Sequence, residues 1–140
     1  MKYLLALASA GTVIACTGIA TAVQPSLSFA TLEDRQPRDP LLPSNQSADI
    51  VEHTPQTDIA PAVHAISAAI PAGTPRAAAE AVVARAGGHC RRRDASSERC
   101  IYFDVETRDE YVDAIHWNVR LNLTGDQVQG FSVDRSWVRS

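Results

Sequence analysis

Ile115-His116-Trp117-Asn118-Val119-Arg120-Leu121-Asn122-Leu123 alternates apolar and polar residues without a break. A period of two marks a strand with one buried and one wet face. Ile115, Trp117, Val119, Leu121 and Leu123 take the buried face; His116, Asn118, Arg120 and Asn122 take the wet one. Thr124-Gly125-Asp126 then turns the chain, and Phe131, Val133 and Trp137 continue the apolar set. A two-residue turn on Gly125-Asp126 pairs Leu123 with Val128 and Val119 with Ser132. That leaves Phe131 and Val133 on the wet face, because a slip of one residue inverts a strand. The expectation is therefore a three-residue loop, pairing Val119 with Phe131 and Trp117 with Val133, or a bulge at Gly130 with the same effect.

Upstream, Ile101, Phe103 and Val105 alternate with Tyr102, Asp104 and Glu106, which predicts another strand. Before Gly88 the period is helical. Thr74 suits an N-cap, Pro75 a first helical position and Gly87 a left-handed terminator, with Ala79, Val82, Val83 and Ala86 as the apolar face. Ile59, Val63, Ile66 and Ile70 predict a shorter helix over about 61–69, opened by Pro61 and ended by Pro71. The expected fold is α+β: two short N-terminal helices followed by a three- to four-stranded antiparallel sheet, in a domain over residues 61–140. About 80 residues make a marginal core.

Residues 31–60 read as a disordered, Pro-rich, acidic linker. Pro37, Pro40, Pro43 and Pro55 interrupt it, and six acids face two arginines. The 140-residue chain carries 13 basic and 16 acidic residues, a formal charge of −3, and the linker accounts for that excess. The domain balances ten Arg against ten acids, so no nucleic-acid footprint is expected.

Residues 1–30 read as an export segment. Lys2 is its only charge, followed by an apolar run to Val23. Val13-Ile14-Ala15-Cys16 fits a loose lipobox, with cleavage before Cys16 and lipid attached to its thiol. Ala20-Thr21-Ala22 and Ser28-Phe29-Ala30 fit ordinary signal peptidase, with cleavage after Ala22 or Ala30. An uncleaved anchor is the third reading, since residues 3–23 match the length of about 20 residues that crosses a bilayer. Each reading places the domain outside the cytoplasm: periplasmic and tethered to the outer membrane, or secreted. With Cys16 lipidated, removed or in the membrane, Cys90 and Cys100 are left as a pair in an oxidising compartment, and a disulfide is expected between them.

The search for chemistry returns little. There is no G-x-S-x-G, H-E-x-x-H, phosphate loop or C-x-x-C, so neither catalysis, a cofactor nor a metal is expected. Glu106, Asp109, Glu110 and Asp113 read as a solvated acidic turn, without the spacing of an EF-hand. Arg91-Arg92-Arg93 is the sharpest charge cluster, although on a strand its members alternate in direction. With Tyr102, His116, Asn118 and Arg120 on an open sheet face, these arginines form the candidate partner surface.

The order helix, Gly73-Thr74, helix, Gly87, antiparallel strands resembles the SmpA/OmlA (BamE-like) group of small outer-membrane lipoproteins, over about residues 62–135. Ile66, Ile70, Val82-Val83 and the closing pair Val119–Leu123 and Gly125–Val128 carry the likeness. Gly73 to Gly87 is about one turn longer than in that family, Ala86 replaces its usual Leu, and the cysteine pair is not a core family feature. The resemblance implies an exported, membrane-tethered, non-enzymatic envelope protein, held by an N-terminal lipid or anchor. It would bind a protein partner in outer-membrane assembly or maintenance. The alternative is a secreted inhibitor or sensor of an envelope enzyme, using the 90–100 loop and the open sheet face.

Overall fold

The computed structural model describes residues 26–36, 51–108 and 111–140. The alternating segments form four long or edge strands, β2 (His89–Arg92), β3 (Ser97–Arg108), β4 (Tyr111–Thr124) and β5 (Gln127–Arg139), and a two-residue strand β1 (Glu52–His53) joins them. All neighbours run antiparallel, in the order β1-β5-β4-β3-β2. Three helices, α1 (Phe29–Asp34), α2 (Ala60–Ala69) and α3 (Arg76–Arg85), share one apolar core with the sheet. The fold is thus α+β and antiparallel as expected, but it has three helices and five strands. The additional helix and strand come from within or beside the stretch read as linker.

β4 follows its alternation: Ile115, Trp117, Val119, Leu121 and Leu123 are all buried. The β4–β5 hairpin has the two-residue turn, not the three-residue loop. Gly125 and Asp126 both sit at positive φ, 57° and 64°, the geometry that matches strand twist. Leu123 pairs with Val128 and Asn122 with Gly130, so Gln129 is an extra residue in β5. This bulge restores Phe131 and Val133 to the face of Leu121 and Val119, their direct partners. The pairings expected for Val119 and Trp117 are therefore displaced by two residues: they meet Val133 and Arg135.

Pro61 lies in the first turn of α2, and Ile59, Ile66 and Ile70 are buried. The C-terminus of α3 is a Schellman motif: Gly88 N–H donates to Val83 O (2.9 Å) and Gly87 N–H to Ala84 O (3.1 Å), with Gly87 at φ 95°. The N-terminal expectation fails. Thr74 does not cap α3; its hydroxyl donates to Pro71 O at 2.6 Å. Its backbone is drawn beside the β5 turn, where Val128 N–H donates to Thr74 O and Gly73 N–H to Val128 O.

The N-terminal helix is the larger departure. Ser28 caps α1 by accepting from Thr31 N–H at 3.3 Å. Phe29 and Leu32, three residues apart, turn inward, and Phe29 N–H donates to Ala86 O at the end of α3. A methyl on Gly88 would lie 2.7 Å from a Val83 methyl and 3.2 Å from the Phe29 ring, so only glycine permits this approach. Glu33 is 2% exposed. Its carboxylate accepts from Trp117 Nε1 (2.8 Å) and Arg135 Nε (2.8 Å), and Arg135 Nη1 reaches Thr54 Oγ1 (2.7 Å). One charge pair therefore joins α1, the end of β1, β4 and β5.

Candidate functional site

Cys90 and Cys100 are direct cross-strand partners and are joined by a disulfide. Cys100 is buried in the core, and this sets the direction of its neighbours in β3. Glu98, Cys100 and Tyr102 face the helices; Arg99, Ile101, Phe103 and Val105 face away. Tyr102 is accordingly corrected from the open face to the core face. It pairs with Trp117, and its ring stacks on Phe29 with centroids 5.4 Å apart. Burial, aided by Asp104, pushes its hydroxyl pKa up to about 12. The apolar run Ile101-x-Phe103-x-Val105 suggested the reverse orientation, but the disulfide and the Phe29 ring outweigh it.

Among the described residues, no helix covers the other face of the sheet. Phe103, Val105 and Val112 are 54%, 48% and 37% exposed there. Phe103 sits directly opposite His116, ring edge to face at 4.9 Å between centroids. Of the expected surface, His116, Asn118 and Arg120 lie on this face. Arg91 also lies here, opposite Arg99, while Arg92 turns to the other side and its Nε donates to Asp94 O. Arg93 returns to the side of Arg91: with Arg99 the two line a depression of about 520 Å³ that also includes Gly87, His89, Ile101 and Phe103. The alternation expected of the arginine triplet is present.

A second depression, of about 630 Å³, adjoins the first and shares Arg93 and Arg99 with it; Asn118, Arg120, Ser132 and Asp134 are among its walls. Arg99 donates through Nε and Nη2 to Asn118 Oδ1, at 2.9 and 2.6 Å. Asp134 is engaged by His53 Nδ1 at 2.8 Å. Asp94 spends its carboxylate on the β2–β3 turn. The Ser96 hydroxyl and N–H and the Ser97 hydroxyl all bond to it, and the Ser96 bonds first, then that of Ser97, hold its pKa down at about 2.

Arg99, Phe103, Val105 and Val112 were absent from the expected surface. Parity was the available signal: if Cys100 is buried in a disulfide, odd-numbered neighbours must face out. Cys16, Asp109 and Glu110 lie outside the described residues. Asp113, expected in a solvated turn, is held by Arg139 through Nε and Nη2, both at 2.7 Å. Among the described residues, no three His, Cys, Asp or Glu side chains gather as a metal site, and no helix is long and apolar enough to cross a membrane.

Fold and surface together define a small, disulfide-bonded α+β domain with helices on one face of its sheet. Comparison with known protein families, with curated proteins and with solved structures finds no match.

Proposed function

We propose that the protein is an exported, non-enzymatic binding module, held at the cell envelope by its N-terminus, whose uncovered sheet face docks a protein partner. The observation that carries this reading is the exposure of Phe103, Val105 and Val112 together on one sheet face, beside a group of arginines. Exposed apolar side chains clustered on one face mark interaction surfaces, and aromatic and arginine residues are the usual anchors of such interfaces. The basic N-terminus and apolar run support export. Lipid on Cys16 supplies the tether. The likeness to the SmpA/OmlA group favours a role in outer-membrane assembly or maintenance.

The N-terminal geometry favours processing that keeps α1. Cleavage before Cys16 or after Ala22 leaves Ser28, Phe29 and Glu33 in place. Cleavage after Ala30 removes the cap and the Phe29 ring.

The test is capture from envelope extracts with the wild type and with Phe103→Asp/Val105→Asp, checked for an unchanged unfolding midpoint. Loss of a specific partner from the folded variant supports the reading; equal capture by both contradicts it. A partner that is a single enzyme, inhibited on binding, identifies the role as inhibition and not assembly. Incorporation of labelled palmitate, lost in Cys16→Ala, tests the tether separately.

A further inference from the structure

Three arginines stand in one row across the uncovered face. Arg91 on β2 is the direct partner of Arg99 on β3, and Arg99 is the direct partner of Arg120 on β4. Direct partners share a face, with Cα atoms about 4.5–5.5 Å apart. Like charges placed directly opposite one another destabilise a sheet. The neighbouring disulfide makes this arrangement unavoidable, because pairing Cys90 with Cys100 sets Arg91 against Arg99. Among the described residues, none of Arg91, Arg93, Arg99 and Arg120 forms an ion pair with a carboxylate. Arg99 has only the amide oxygen of Asn118.

The surroundings narrow the ligand. The depression holding Arg91, Arg93 and Arg99 has no acidic residue in its wall, and its other lining includes Ile101 and the exposed ring of Phe103. The adjoining depression, which adds Arg120, contains Asp94 and Asp134, but Asp94 is bound to the β2–β3 turn and Asp134 to His53. It is concave, so it receives a projecting group. Guanidinium forks match carboxylates in pairs, and the apolar lining matches a hydrophobic side chain next to them.

We propose that this arginine row is the recognition site for an acidic segment of a partner protein, one that carries several carboxylates around an apolar side chain. The proposal rests on the uncovered face being the docking surface and adds the chemistry of its partner. Charge complementarity carries the assignment: the bound carboxylates would relieve the repulsion that the disulfide-fixed register imposes.

The probe is a fluorescein-labelled peptide, Glu-Glu-Phe-Glu-Glu, with a Gln-for-Glu control, titrated by anisotropy into the oxidised full-length protein. The acidic peptide should bind at least about ten-fold tighter than the control, and the difference should shrink with salt. Arg91→Gln/Arg120→Gln removes two side chains for which no polar contact is described. It should weaken acidic-peptide binding about ten-fold or more without lowering the unfolding midpoint, since it also removes repulsion. A purely structural role for these arginines would lower that midpoint. Equal binding of both peptides, or unchanged affinity in the variant, overturns the proposal. Binding to phosphatidylglycerol vesicles but not to the peptide overturns it in favour of a lipid surface. A captured partner that is released by Phe103→Asp but not by the arginine variant refutes the acidic segment while leaving the docking face standing.

Discussion

Glu33 and Arg135, 102 residues apart in the chain, form a buried ion pair against Trp117. Arg135 lies 5.9 Å from the Trp117 ring centroid and directly across the β4–β5 ladder from it. Arg135 occupies an inward position of β5 that alternation would assign to an apolar residue, and Glu33 an inward position of α1. Its charges are tolerated because each is met by the other and by neutral donors or acceptors.

Removing one partner should therefore be costly. Glu33→Gln leaves the Arg135 charge buried without its counter-ion, a loss of about 3–5 kcal/mol in typical cases. The double variant Glu33→Gln/Arg135→Met removes both charges and should lose less than the sum of the two single changes. Urea unfolding of the four proteins measures this coupling. Additive losses would mean that the pair does not act as a unit.

The N-terminal helix makes processing a matter of stability. A chain starting at residue 23 retains Phe29; one starting at residue 31 lacks it. Loss of a fully buried Phe side chain costs about 3–5 kcal/mol. The shorter chain should unfold at markedly lower urea, and its Tyr102 ring should become accessible to solvent. Equal midpoints would show that α1 is not integral to the core.

Reduction of the Cys90–Cys100 bond should destabilise the domain by about 2–3 kcal/mol, the chain-entropy value for closing a loop of this length. The expected signature is a lower midpoint with reductant, reproduced by Cys90→Ala/Cys100→Ala. Binding through the arginine row should weaken in the same variant, since the bond sets its register.

Glu98 gives the domain a pH response. Burial, then a hydrogen bond and charge repulsion from Glu80, raise its pKa from 4.5 to about 7, against the opposing charges of Arg76 and Arg92. One of its buried oxygens, Oε2, has no hydrogen-bond partner. With the folded pKa above the unfolded one, the fold favours the protonated acid. This contribution is complete below about pH 4.5 and is lost as pH rises through 7. Glu98→Gln should be more stable than the wild type at pH 8, and the gain should shrink toward pH 5. A gain independent of pH would exclude Glu98 as its source.

Several elements were legible in the sequence for stated reasons. The uninterrupted alternation from Ile115 to Leu123, the Gly87 terminator and the cysteine pair each carry one local physical requirement. That Phe131 and Val133 must reach the core calls for a three-residue loop or a bulge; the fold keeps the two-residue turn and uses a bulge, with pairings two residues away from those expected. Helix α1 is hidden in the sequence because Phe29 lies inside the stretch 1–30 that reads as an export segment and is only one turn from charged residues. Its burial depends on Glu33 meeting Arg135, a contact across 102 residues that no local pattern reveals. The orientation of β3 departs from its local pattern for a related reason. Its apolar residues face out, and its inward Tyr102 rests on a ring supplied by α1.

The uncovered face can be tested most directly by photo-crosslinking in intact envelopes. A photoreactive phenylalanine replaces Phe103 in one strain and Ala68, exposed on α2, in another. The same adduct should form from position 103, and from positions 105 and 112, and should be absent from position 68. Adducts formed from position 68 alone would contradict the assignment of the sheet face as the docking surface.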